Sequence, residues 1–205
     1  MPTSSRPRYD RQSLTTVALD VFRQRGYDAT SMEQLAAAAG ISKAAIYHHV
    51  SGKEELLDAG LSMALDALEA VLDEEQATTG APVDRVRHVM RRVVELEVEM
   101  LAAVSVLLRA RGNSAVERRA LDRRRRFDRA VARLIAQAQS DGSLRCDIDP
   151  VIAARLAIGT ATWLVEWYGT GGKLGVDALA DAVVTITFDG LAVRTPPTNP
   201  ARRKP

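Results

Sequence analysis

Apolar residues recur along this chain at the spacing of a single helix face. Leu14, Val17, Ala18, Val21 and Phe22 follow i, i+3, i+4, i+7 and i+8. This predicts a first helix over about 10–25, closed by Gly26 in the left-handed conformation that ends a last turn. Thr30 and Ser31 each suit an N-cap, and each has a capping-box partner three residues on, Glu33 and Gln34. They open a short second helix, about 31–38, which Gly40 stops. Ser42 caps a third, about 43–49. Ser51-Gly52-Lys53-Glu54 repeats the box pattern and opens a long fourth helix. Its inner face carries Leu56, Leu57, Leu61, Ala64, Leu65, Leu68 and Leu72, and it ends before Thr78.

The helical period continues to the end. Pro82 suits a helix start, followed by Val83, Val86, Val89, Met90, Val93, Val94 and Leu101, with a break at Gly112-Asn113-Ser114. Further helices are predicted over about 115–139, 150–168 and 176–193, the last two separated by Gly169-Thr170-Gly171-Gly172. No strand-like alternation is long enough to matter. The fold class read from this is all-α, with an N-terminal helix-turn-helix unit (1–54), a helical C-terminal domain (55–194) and a disordered Pro-rich, basic tail (195–205).

Composition narrows the class. Hydrophobic residues make up 46% of the 205 and charged residues 26%, an ordinary globular balance. No apolar run approaches the roughly 18–20 residues a membrane span needs. The opening MPTSSRPRYDRQSL lacks the apolar core of a signal peptide, so a cytoplasmic protein is the reading. Cys146 is the single cysteine, so no internal disulfide framework exists. Net charge is only +2, but its distribution is uneven: +3 over residues 1–53, −8 over 54–104, +7 over 105–145 and zero over 146–205. A basic N-terminal unit followed by an acidic stretch suits a polyanion bound at one end.

The segment from Ser31 to Val50 carries the chemistry. Two short capped helices meet at a tight turn around Gly40 and Ile41. Ala36 is small enough for the helices to approach, Gly40 tolerates a left-handed backbone, and Ile46 locks the second helix onto the first. Leu35, Ile41 and Phe22 complete the core. Ser42, Lys43, Ala44, Tyr47 and His48 are left facing outward, as a recognition helix in a major groove requires. Lys43 reaches guanine acceptors or a phosphate, and the Ala44 methyl suits a thymine methyl. Tyr47 and His48 donate to phosphates. The helix start at Thr30 and Ser31 offers N–H groups to another phosphate, and Lys53 does the same at the fourth helix.

Residues 10–61 resemble the N-terminal domain of the tetracycline-repressor-like (TetR) family. Phe22, Gly26, Thr30, Ala36, Gly40, Ile41, Ser42, Tyr47, His49, Lys53, Glu54 and Leu56 match its pattern, and Val50 stands where Phe is usual. The resemblance implies a ligand-responsive transcriptional regulator, by family default a repressor. It also implies a helical ligand-binding domain, and a homodimer that pairs its last two helices with a partner's and presents two recognition helices to a palindromic double-stranded DNA operator. Helices 150–168 and 176–193 would take the pairing role, with Ala153, Ala154, Ala157 and Ala161 allowing close approach.

Trp163 and Trp167 lie one turn apart with Tyr168 beside them. They read either as core or dimer-interface residues or as one wall of an effector pocket, with Met100, Leu101, Val104, Leu108 and Arg109 opposite. Arg118, Arg119, Arg123 to Arg126, Arg129 and Arg133 crowd one helix, read as a solvated surface or a phosphate site. The run Trp167 to Gly175, with Phe188-Asp-Gly-Leu, is similar to family members that respond to acyl-CoA thioesters, which points to an acyl-CoA-type or other small apolar effector. An enzyme finds no support. His48 and His49 are adjacent and diverge, no Cys or carboxylate cluster has metal spacing, and Gly171-Gly172-Lys173 is followed by Leu174 where a phosphate loop needs Ser or Thr. No cofactor is implied. The alternative reading is a helical partner-binding protein with a degenerate helix-turn-helix.

Overall fold

The computed structural model describes residues 10–168 and 175–191, and their regular structure is helical throughout. Helix α1 (Arg11–Arg25) starts at Asp10, whose carboxylate accepts the Ser13 N–H at 2.8 Å while the Ser13 hydroxyl accepts the Asp10 N–H at 3.0 Å. Helices α2 (Met32–Ala38) and α3 (Lys43–Tyr47) follow, then α4 (Lys53–Val71). The first core gathers Leu14, Ala18, Leu19 and Phe22 of α1, Leu35 and Ala36 of α2, Ile46 of α3, and Leu56 to Leu65 of α4. The boundary drawn at 54 therefore falls in the first turn of α4, which contributes five leucine and alanine side chains to the N-terminal core. Gly60 is what lets α1 and α4 meet, since a Cβ there would lie 2.5 Å from Leu19 Cδ2.

Three predicted helices are each broken in two. The fourth stops at Val71 and a single turn, α5 (Glu75–Thr78), follows it. The helix opened by Pro82 breaks at Met100 (φ −117°, ψ 32°) into α6 (Pro82–Glu99) and α7 (Leu101–Arg109). Beyond the break, α7 packs against α1 and α4, and its Ala103, Val106 and Leu107 join the first core. The helix from Pro150 breaks at Trp163 into α9 (Pro150–Thr162) and α10 (Leu164–Trp167). The Arg-rich α8 (Ala115–Ser140) runs unbroken, and α11 (Val176–Asp189) ends four residues earlier than its apolar pattern suggested. The break at 169–174 and the tail at 195–205 lie outside the described residues.

The second core lies among α6, α8, α9 and α11, built from Val86, Val89, Met90, Val93, Phe127, Val131, Ile135, Ala154, Ala157 and Val183, among others. The charge blocks of the sequence meet across it. Arg123 on α8 donates to Asp66 (2.5 Å) and Glu69 (2.6 Å) on α4, and Arg119 reaches Asp58 at 3.1 Å. On the other side of α6, Arg87 holds Asp189 of α11 at 2.7 Å, and Arg91 pairs with Asp181. Three acids of the −8 block are thus matched by two arginines of the +7 block between α4 and α8.

Candidate functional site

The unit at Ser31–Val50 is assembled by local bonds. The Ser31 hydroxyl accepts the Gln34 N–H at 3.3 Å, and Gln34 Oε1 accepts the Ser31 N–H at 2.8 Å. Gly40 takes φ +68°, where a Cβ is strained, and the Ile41 N–H donates to the Ala36 carbonyl at 3.0 Å. The Ser42 hydroxyl accepts the Ala45 N–H at 3.1 Å and fixes the start of α3. Ile46 (1% exposed), Leu35 and Phe22 are buried beneath it. Ser42, Lys43, Ala44, Tyr47 and His48 are all exposed, with Tyr47 at 47%. A short helix locked from below with one polar face free is the geometry that enters a major groove.

Two residues read as phosphate contacts are used inward instead. Thr30 is 2% exposed, and its hydroxyl donates to the Gly26 carbonyl at 2.7 Å; the N-cap of α2 is Ser31 alone. Lys53 Nζ donates to the carbonyls of Tyr27, Asp28 and Thr30 at 3.0, 3.3 and 2.9 Å, and stands 4.5 Å from the centre of the Tyr27 ring. An ammonium has three protons to donate, and these carbonyls take them, so Lys53, half-buried, clamps the α1–α2 loop to α4. Glu33, read as a capping partner for Thr30, instead pairs with Lys43 across the turn. That pairing holds the Glu33 carboxyl down at about 2. It was missed because nothing in a helix period says which cation a first-turn acid will meet.

Of the residues predicted to wall an effector pocket, Met100 and Tyr168 pack against the same core, and α10 lies in contact with α7. Trp163 and Trp167 are 66% and 57% exposed, and Tyr168 meets Trp167 edge-on with ring centres 6.4 Å apart. Val104 is buried and Leu108 half-buried. Met100 packs against both cores from the α6–α7 break. Arg109 is exposed and donates to the Arg23 carbonyl of α1 at 2.6 Å. Other exposed apolar side chains lie on α9 (Val151, Ile152 and Leu156) and α11 (Ile186), and Leu156 and Ile186 share one cavity wall. That cavity, of about 580 Å³, is lined by Ile135, Gln139, Leu144, Leu156, Thr160, Ile186 and Thr187, among others. A second, of about 290 Å³, lies between α1, α4 and α7, with Arg25, Arg109 and Arg111 on its rim.

The sequence reading also passed over Glu97. It sits on the buried stripe of α6, 2% exposed, with Oε2 enclosed and unpartnered. The signal was present: Met90, Val93, Val94 and Glu97 are spaced three and four apart, so an acid stands where the period asks for an apolar residue. Among the described residues, no group of three His, Cys, Asp or Glu is placed to hold a metal, and no helix is long and apolar enough to cross a membrane.

Comparison with known proteins decides the class. Residues 14–59 match the family described as bacterial regulatory proteins, tetR family, and residues 79–191 match the tetracyclin repressor-like C-terminal domain. The chain belongs to the TetR family. It is 30% identical over 196 residues to the HTH-type transcriptional repressor KstR2 of Rhodococcus jostii (strain RHA1), covering 89% of this chain and 91% of that one. Among solved structures, SCO3833 of Streptomyces coelicolor A3, a TetR-family member, is 46% identical with a TM-score of 0.84, over 94% of this chain and 96% of that one. AibR in complex with isovaleryl coenzyme A and operator DNA is 26% identical with a TM-score of 0.76, over 87% and 97%. The protein is a DNA-binding transcriptional regulator of this family and not an enzyme. TetR-family regulators bind operator DNA, dimerise and bind small-molecule effectors.

Proposed function

We propose that the protein is a homodimeric repressor that leaves a palindromic operator when an acyl-CoA-type or similarly apolar effector enters its C-terminal helices. The observation that carries this is the free face of α3, with Ser42, Lys43, Ala44, Tyr47 and His48 exposed over a locked Ile46. In this reading those residues and Ser31 meet the DNA, while Thr30 and Lys53 hold the shape that presents them. The exposed apolar side chains of α9, α10 and α11 form the seat of a second copy, which sets two recognition helices about one duplex turn, roughly 34–36 Å, apart. The acyl-CoA part draws support from AibR, whose complex holds both isovaleryl coenzyme A and operator DNA. The repressor part draws support from KstR2.

A mobility-shift selection from random duplex pools tests the reading. Retention of one palindromic sequence, weakened by Lys43→Ala or Tyr47→Ala and relieved by a coenzyme A thioester, is the expected result. No retention even at low salt, where phosphate contacts are strongest, would establish the rival helical partner-binding protein instead. Retention relieved only by an uncharged apolar compound would keep the repressor and exclude the thioester.

A further inference from the structure

Glu97 carries a cost with no return inside the fold. Its carboxyl is buried on the inner stripe of α6, and Oε2 has no hydrogen-bonding partner. Facing it from α8, Arg124 is half-buried and acts on Glu97 through its charge, with no hydrogen bond to it. One turn further along α8, Asp128 also encloses an oxygen, Oδ1, without a partner. Burying a polar group unsatisfied is strongly unfavourable, and a leucine at 97 would complete the stripe without that penalty. Burial pushes the Glu97 carboxyl up to about 8, so near neutrality it is an uncharged acid with an O–H to donate. In surroundings this apolar, the fitting acceptor is a neutral carbonyl oxygen.

Its place in the fold gives that group leverage. Glu97 precedes the Met100 break by three residues, and α7 beyond the break packs on α1 and α4 of the DNA-binding end. A ligand that reaches Glu97 would therefore sit beside the junction whose far side packs on the DNA-binding end.

We propose that Glu97 reads the effector: its carboxyl donates to the carbonyl oxygen of an acyl thioester. This rests on the thioester reading above. The test uses the full chain and its Glu97→Gln and Glu97→Met variants, titrated calorimetrically with isovaleryl-, octanoyl- and phenylacetyl-CoA. Isotope-edited infrared spectra then follow the tightest ester, labelled with carbon-13 at its carbonyl. Glutamine keeps a donor, so Glu97→Gln should hold affinity within about threefold, while Glu97→Met should lose about tenfold or more. The labelled carbonyl band should shift to lower frequency on binding the unmodified protein and not on binding Glu97→Met. Glu97→Met should also melt higher, because the orphan acid is gone; that rise shows that lost affinity is not lost folding. Equal affinity and an equal band shift in Glu97→Met would overturn the assignment while leaving the thioester reading intact. No binding of any ester by the unmodified chain would overturn both, and is told apart by that result alone.

Discussion

At the scale of single residues, the ion pair between Lys43 and Glu33 decides how the reading head meets DNA. Lys43 is exposed on the recognition face, yet its charge is already matched across the turn. Binding must exchange Glu33 for a base edge or phosphate. Glu33→Gln should therefore tighten operator binding and steepen its salt dependence by about one counterion, while Lys43→Ala should weaken binding about tenfold. Mobility shifts across a salt series measure both. Glu97 makes a prediction of a different kind. Its pKa is raised by burial, with Arg124 pulling the other way, from 4.5 to about 8. A raised acid pKa means the folded chain holds a proton that the unfolded chain releases. Stability from this group is full below pH 4.5 and declines as pH rises through 8, by at most about 1.4 kcal/mol per unit. Denaturant midpoints taken between pH 5 and 8 should fall, and Glu97→Gln should flatten that fall.

At the scale of elements, close approach of α1 and α4 and the anchoring of their loops hold the DNA-binding end together. Gly60→Ala would drive a methyl into buried Leu19. The cost of overpacking, about 1–3 kcal/mol, should exceed the roughly 1 kcal/mol that alanine gains over glycine in a helix. Urea unfolding reads the balance. Lys53→Met removes three hydrogen bonds to α1–α2 loop carbonyls, of which that of Tyr27 keeps the Thr30 N–H, and should destabilise the fold by about 1–2 kcal/mol. The sequence made some of these elements plain and not others, for physical reasons. Caps at Ser31 and Ser42, the turn at Gly40 and the buried Leu35 and Ile46 depend on neighbours within a few residues, so spacing reveals them. The clamp at Lys53 spans up to 26 residues, and a lysine opening a helix looks the same whether it faces a phosphate or a loop carbonyl. Likewise, Trp163 and Trp167 share a helix face by spacing, but spacing cannot say whether that face meets its own core or open surface. The break at Met100 was invisible because the apolar pattern runs straight through it; α7 turns to cover α1 and α4, a demand set by tertiary packing.

At the scale of the whole molecule, the acidic and basic blocks act as mutual fasteners between α4 and α8. Arg123 has three carboxylate contacts on two acids, with its side chain only 21% exposed. Arg123→Ala should lower Tm by about 2–6 °C, more at low than at high ionic strength, which scanning calorimetry in a salt series would show. The exposed tryptophans have a practical consequence. They are the only two in the chain, and both are exposed where α9 gives way to α10. Ultraviolet emission from this protein is therefore a gauge of what covers that surface. A blue shift on concentrating the sample reports subunits coming together.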